Sequence, residues 1–543
     1  MPNLSAKPAL NIQHHQKLPR KAPTMRVLYA CLMTGTALIA VPAALMVAAY
    51  ADGGAGGSMT SPEPAGGTDS TNTAGNAGAS GLLLGGGGGG GAGNIGGAGG
   101  MGNSMGGLGG ASAGADGADG FSTTASGGGG GGGAHGYIGD VAPPGAMTGG
   151  NGGAGGAGMG GATHGGGGGA GGWGAVINLI APSTESFVNN ITGGDGGSGG
   201  AAGDVSGQDG SGGSGGVGLY FLDQIDSRMI IVGANISGGA GGNAPSVGSS
   251  GSKTGGYGGN AIMGSDMQMM IANGAVVQGG NSGYAMHGSM IVYATKGTGI
   301  VGGDLVLNIS GTVASGQGSY NDYGTAIHLT GGTNSIFLSS TSVITGDILL
   351  EEANTSITLE SGYTFSNGRV IVSGVNTASL TLGGSFDGSF DLTSLNQSDV
   401  DGAFDGISQV NVNADSDLTE WTLTGSPSYS VSQWTVSKGK AILNENSFGG
   451  DVSVENSSTL EVSSAAIMTT TLQNDLDVSS GATLNVTQRS GGTALTVYGS
   501  VNLAGTVNLA LSAPVIGPVI SVGYDLSANG TLNITDIRSA AIR

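Results

Sequence analysis

Gly324-Thr-Ala-Ile-His-Leu-Thr-Gly-Gly-Thr-Asn334-Ser-Ile-Phe-Leu338, continued by Val343-Ile-Thr-Gly-Asp-Ile348, is the stretch on which the fold turns. Its apolar residues Ile327, Leu329, Ile336, Leu338, Val343 and Ile348 lie mostly two apart within short runs, the spacing of a strand with one buried face. Gly331-Gly332-Thr333-Asn334 and Thr345-Gly346-Asp347 punctuate those runs as turns. Strand, turn, strand, turn is the plan of a β-solenoid coil, which hydrogen-bonds to its neighbours and is not stable alone.

Upstream, a hydrophobic residue, a polar residue and glycine close one segment after another. The closures are Met147-Thr148-Gly149-Gly150, Ile191-Thr192-Gly193-Gly194, Ile236-Ser237-Gly238-Gly239 and Val277-Gln278-Gly279-Gly280, with an echo at Ile344-Thr345-Gly346. The first four start 44, 45 and 41 residues apart, a period that marks stacked repeats rather than one globular core. The beat then breaks between Val277 and Ile344. Downstream, Val452-Ser-Val454, Leu460-Glu-Val462, Leu476-Asp-Val478, Leu484-Asn-Val486, Leu495-Thr-Val497, Val501-Asn-Leu503 and Val507-Asn-Leu509 form a ladder of alternating runs. Each places apolar residues inside and Ser, Thr, Asn or Asp outside.

Composition divides the 543 residues further, because most of the 119 glycines lie before residue 300. Residues 52–172 are low-complexity sequence with runs such as Gly85–Gly91 and Gly127–Gly133. Glycine loses the most backbone entropy on ordering, and this tract has little apolar surface to offset it, so a largely flexible segment is expected. The alternative is recruitment of glycine-rich coils onto the adjacent solenoid, where close backbone packing suits residues without a Cβ. The expected organisation is a signal peptide over 1–51, the glycine-rich region over 52–172, glycine-rich solenoid repeats over 173–304 and a β-helix stem over 305–543.

At the N-terminus, Lys17, Arg20, Lys21 and Arg26 precede an apolar run from Val27 to Ala49, and Ala49-Tyr50-Ala51 meets the small-x-small cleavage rule. Export across an inner membrane follows, with Met1 or Met25 as the start; a retained membrane anchor is the alternative reading of the same run. After Ala51 the chain holds nine basic and 35 acidic residues, a net charge of −26, and residues 52–227 contain no Lys or Arg. Such a surface does not bind nucleic acid and is repelled by anionic lipid. The one cysteine, Cys31, lies inside the leader, so the mature chain has no disulfide and no thiolate metal site.

The segment from Gly324 to Ile348 resembles the coil repeats of bacterial autotransporter passengers, which are exported by type V secretion. Trp421-Thr-Leu-Thr-Gly-Ser-Pro-Ser-Tyr-Ser-Val-Ser-Gln-Trp434-Thr-Val-Ser-Lys-Gly-Lys-Ala-Ile-Leu443 is similar to the passenger-associated transport repeat. The resemblance covers about residues 172–543. It implies an all-β, right-handed parallel β-helix carried to the surface or outer membrane of a Gram-negative bacterium, or secreted, as an adhesin or surface-interaction scaffold. Its partners are then ligands on host surfaces, matrix or sister cells. Strands of the family's C-terminal membrane β-barrel are not recognisable in this sequence, so a barrel translocator is expected from elsewhere or from a longer gene product.

Chemistry is sparse, and no catalytic residue, cofactor or metal site is assigned. Gly196-Gly-Ser198-Gly-Gly200 and Gly212-Gly-Ser214-Gly-Gly216 meet the nucleophile-elbow pattern, which a tract rich in Gly and Ser satisfies by chance. Gly114-Ala-Asp116-Gly-Ala-Asp119-Gly-Phe-Ser122 approaches a calcium-binding nonapeptide but is a single copy. His135, His164, His287 and His328 fall in separate repeats and are expected as isolated surface or turn residues. Glu351 and Glu352, adjacent on a strand, point to opposite faces and form no acid/base pair. The rival function is a polysaccharide-acting β-helix enzyme of pectate-lyase type, which needs a carboxylate cluster beside a basic side chain. Only Arg228, Lys253, Lys296 and Arg369 are available for it between residues 172 and 420.

Overall fold

A computed structural model describes most of the chain from Asp52 to Asp536. Residues 1–51, 59–62, 82–85, 179–183, 223–227, 247–252, 288–289, 319–323, 375–376, 397–400, 429–430, 445–446, 464–468, 489–491, 512–517 and 537–543 lie outside the description, and with them the leader. The described fold is a parallel β-helix. A first sheet of nine strands runs from Tyr137–Gly139 to Phe404–Asp405, a second of 13 from Thr184–Phe187 to Leu526–Ala528, and a third of seven from Met147–Thr148 to Thr364–Ser366. The second sheet continues unbroken, while a seven-stranded sheet beginning at Gly388–Asp391 and a four-stranded sheet beginning at Ser447–Phe448 replace the other two. Phe365, Phe390 and Phe404 pack edge to face at that exchange, with ring centroids 5.6 to 6.0 Å apart.

Strand period dictates the core. Leu305–Ile309 lies in register between Met267–Ile271 and Thr333–Leu338, placing Leu307 between Met269 and Ile336. All three are buried, and Val306 on the other face is exposed. Each such side chain contributes roughly 2 to 3 kcal/mol by leaving water. The downstream ladder distributes over the sheets as columns: Val452, Leu476 and Val501 stack in one, Leu460, Leu484 and Val507 in another. In the Gly324–Ile348 coil the expected inward residues are buried except Val343, whose place is taken by Ile344. Asn334, at the corner, is buried because its side chain is used twice: Oδ1 accepts from the Leu305 N–H at 2.8 Å, and Nδ2 donates to the Gly331 carbonyl at 2.9 Å.

The repeat closures form one column. Met147, Ile191, Ile236, Val277, Val313, Ile344 and Phe365 stack in the third sheet, spaced by 44, 45, 41, 36, 31 and 21 residues. The beat therefore does not break after Val277 but shortens. Its hidden member, Thr312–Ala314, closes on Ser315-Gly316 and lacks the Gly-Gly signature. What shortens is the link from the third sheet to the first: residues 149–174, 193–218, 238–261, 279–299, 315–324 and finally Gly346 alone. The longer links are out-and-back glycine excursions.

Those excursions and the tract before them build an ordered bundle, which replaces the expectation of a largely flexible 52–172 region. In the run Gly127–Ala134, partners change with every residue and return every third. Gly127, Gly130 and Gly133 donate to His164, Gly167 and Ala170; Gly128, Gly131 and Ala134 donate to Phe121, Ala118 and Ala115; Gly129 and Gly132 donate to Gly100 and Gly97. Carbonyls in the same run accept from Gly87 and Gly90, Gly107 and Gly110, and Gly153 and Gly156. A three-residue turn without internal hydrogen bonds is the polyproline II habit, and one such rod bonded to six neighbours is the centre of a hexagonal array. Cβ atoms cannot fit there: one added to Gly130 meets the Gly153 carbonyl oxygen at 1.9 Å. Uninterrupted glycine runs therefore mark central rods, and Gly-Gly-X runs mark edge rods with X outward. The entropy cost of ordering glycine is offset by complete backbone pairing rather than by apolar burial.

A second, smaller core joins bundle to β-helix. Ala175–Ile177 is buried on both faces, and Val176, Trp173, Val217 and Met263 pack with Ala92 and Ala170 of the rods. The His135 ring stacks on Trp173 at 4.8 Å and Trp173 meets Tyr220 at 4.8 Å.

Candidate interaction surface

The residues with chemical potential are largely committed to scaffold duties. Ser198 and Ser214 lie in rods rather than on a strand-to-helix elbow, their carbonyls accepting from Gly155 and Gly171. Asp116 and Asp119 are held by the lattice: their Oδ1 atoms accept from the Asn151 and Ala154 N–H groups at 2.6 and 2.7 Å, and Ser122 Oγ accepts from Ala157 at 2.8 Å. The ladder continues across the bundle face, Asn151 accepting from Asp195 and Asp195 from Ala240. A small polar residue at X thus caps the outward N–H of the next rod, and this explains the calcium-like string. Among the described residues no group of three or more His, Cys, Asp or Glu could hold a metal ion.

Three histidines contradict the surface expectation, because His135, His164 and His328 are all buried. His135 is 1% exposed; its Nε2–H donates to the Ser70 carbonyl at 2.7 Å, and its Nδ1 accepts from the Trp173 N–H at 3.0 Å. Burial pushes its pKa down to about 4, against a smaller opposing effect of the Ser70 contact. His164 is buried likewise, its Nδ1 accepting from the Gln208 N–H at 2.9 Å, and desolvation lowers its pKa. Both supply the lattice with an acceptor, a role invisible while the rods were unrecognised. His328 contacts Glu351 at 2.9 Å across adjacent strands, and Glu352 stands in the left-handed region at φ 51°. The side chain of His287 lies outside the described residues.

Away from these tasks, the turns at the far end of the rods form a continuous row. The Ser104 hydroxyl bonds to Thr123 Oγ1 and to the Ser126 carbonyl, Thr123 bridges Gly158, the Gly203 N–H donates to Thr163, and Ala244 bridges Ala285. The row ends in a hairpin, Tyr284–His287 with Met290–Tyr293, the one antiparallel strand pair among the described residues. Along it Met101, Met105, Phe121, Met159, Val205, Met290, Ile291 and Val292 are exposed, Val205 to 77%. The X position along the rods carries mostly Ala, Asn, Ser or Asp, with Leu108 and Tyr257 as exposed exceptions, whereas Met and Phe gather at these turns. Sequence reading passed over this set because its members lie up to 191 positions apart and share only their place in the turns.

Charge in this row is anionic. Lys253 is buried against Asp209, Nζ to Oδ2 2.6 Å, and also donates to the Pro245 carbonyl at 2.9 Å. A buried pair of this kind specifies how two excursions meet, at a desolvation cost.

No protein-family model and no curated relative matches the chain. The crystal structure of the autotransporter UpaB from E. coli strain CFT073 is similar at 16% sequence identity, covering 67% of this chain and 87% of that one with a TM-score of 0.24. Fold assignment rests instead on the parallel strand registers described above.

Proposed function

We propose that this chain is an exported, surface-displayed passenger of autotransporter type that works as a non-catalytic adhesive scaffold, contacting ligands on host surfaces, matrix or sister cells. One observation carries the reading: the β-helix and glycine lattice use nearly every inward position for support and leave a separate row of turns with large exposed apolar residues. Monomeric soluble proteins rarely expose such contiguous patches except where they bind. Turns held by a rigid scaffold are where recognition usually resides.

The direct test is display of the chain, fused to a membrane β-barrel, on a non-adherent bacterium, followed by measurement of attachment to cells and matrix. Gain of attachment supports the proposal. Release of unsaturated sugar from acidic polysaccharide by the purified protein, without gain of attachment, overturns it in favour of the enzyme reading.

A further inference from the structure

We infer that the row of turns at the far end of the glycine rods is a docking surface for a cationic amphipathic peptide segment, an inference that deepens the adhesive reading and rests on it. Two properties coincide there. The first is apolar: Met101, Met105, Phe121 and Met159 are each about half exposed or more, on turns that hydrogen-bond to one another in sequence from 101–105 through 121–126 to 158–164. Methionine is unbranched and polarizable, so a surface rich in it repacks around apolar faces of different shape. The second is electrostatic. Residues 52–227, which build most of the bundle, contain 12 acidic residues and no Lys or Arg.

These properties select among occupants. An anionic lipid surface is repelled by the acidic body. A second copy brings the same acidic charge to the contact, which opposes association. A segment with Lys or Arg on one face and Leu, Ile or Phe on the other meets both demands, the apolar face on the Met and Phe side chains and the cations toward the acidic rods. Two aspartates adjoin the apolar row in sequence: Asp119, two residues before Phe121, and Asp204, beside Val205. Asp204 is partly exposed, and the hydrogen bonds from Ser206 hold its pKa below the usual carboxylate value, so it remains anionic.

The test uses the full chain and a fluorescent amphipathic helix of Lys and Leu as probe, followed by anisotropy. Controls are a Lys/Ser peptide of equal charge, a Glu/Leu peptide of equal apolarity and anionic vesicles. Binding of the Lys/Leu helix alone is expected, weakened by added salt and reduced roughly tenfold or more by the triple variant Met105→Ser, Phe121→Ser, Met159→Ser. Because these side chains point outward, the variant should keep the wild-type melting profile; a variant that melts differently is replaced by Met105→Ser alone. Equal binding of the Lys/Ser peptide, binding of vesicles, an undiminished signal in the variant, or self-association in sedimentation that the variant abolishes would each overturn the inference. The same variant displayed on bacteria separates the two levels: attachment that survives it leaves the adhesive reading standing and removes this surface as its cause.

Discussion

Leu307 and Gly130 are both fully enclosed, yet for opposite reasons. Leu307 is held between Met269 and Ile336 by burying a large side chain, while Gly130 is held by having none, the backbone of Gly153 and Ala154 occupying the space a Cβ would need. In the β-helix, backbone pairing runs in two directions and the hydrophobic effect fills the middle. In the rods it runs in six directions and nothing remains to be filled. The difference teaches that a chain with little apolar surface can still order if every amide and carbonyl finds a partner, and that such order tolerates side chains only at its rim.

Substitution breaks this comparison most sharply. Gly130→Ala places a Cβ 1.9 Å from the Gly153 oxygen and should cost roughly 4 kcal/mol or more or unfold the bundle outright. Leu307→Ala, which only opens a cavity, should cost about 2 to 5 kcal/mol and lower the melting of the β-helix, read in the same calorimetric scan. An equally large effect from Ala98→Ser, at an exposed edge position, would contradict the rule that only enclosed positions demand glycine.

Next in size is the buried pair at the tips of two excursions. Lys253→Met strands Asp209 without its cation and should cost about 3 to 5 kcal/mol, whereas pairing it with Asp209→Leu should restore most of that loss. Denaturant titration of both variants checks the expectation.

Acid should loosen the bundle before the β-helix. His135 is neutral when folded, with its pKa lowered to about 4 from 6.5 in the unfolded chain. Above pH 6.5 both states are neutral and its contribution is complete; as pH falls toward 4 the unfolded state takes up a proton that the folded state refuses, and about 3 kcal/mol is lost. His164, shifted the same way, adds to the trend. The loss over that window should be smaller in His135→Gln, compared by pH-dependent thermal melts.

The smallest effect belongs to the rim. Asn151→Ala removes the acceptor for the Asp195 N–H, worth about 1 kcal/mol, and solvent can partly replace it.

How much of this was legible follows from period. A period of two in Ile327, Leu329, Ile336 and Leu338 exposed a β-solenoid coil and its inward residues, the resemblance to autotransporter passengers implied the parallel β-helix, and the spacing of Met147, Ile191, Ile236 and Val277 exposed the stacking. Val313 escaped because Ala314-Ser315-Gly316 does not repeat the Gly-Gly closure. The rods escaped because their signal has a period of three: Gly-Gly-Asn151-Gly-Gly-Ala154-Gly-Gly-Ala157 against unbroken Gly127–Gly133 distinguishes edge from centre, but composition alone reads both as low complexity. With the rods unread, His135 and His164 could be placed only at a surface, and the Met and Phe residues of the turns were scattered singles. Their neighbourhood exists only once the rods stand side by side.

Amide hydrogen exchange across Gly127–Gly133, followed by mass spectrometry beside the core strand Leu305–Ile309, tests the central claim most directly. If the glycine run is the hydrogen-bonded centre of a hexagonal bundle, its amides are protected to an extent comparable with the strand. Exchange of the glycine run at the rate of an unstructured peptide, while the strand stays protected, would contradict it.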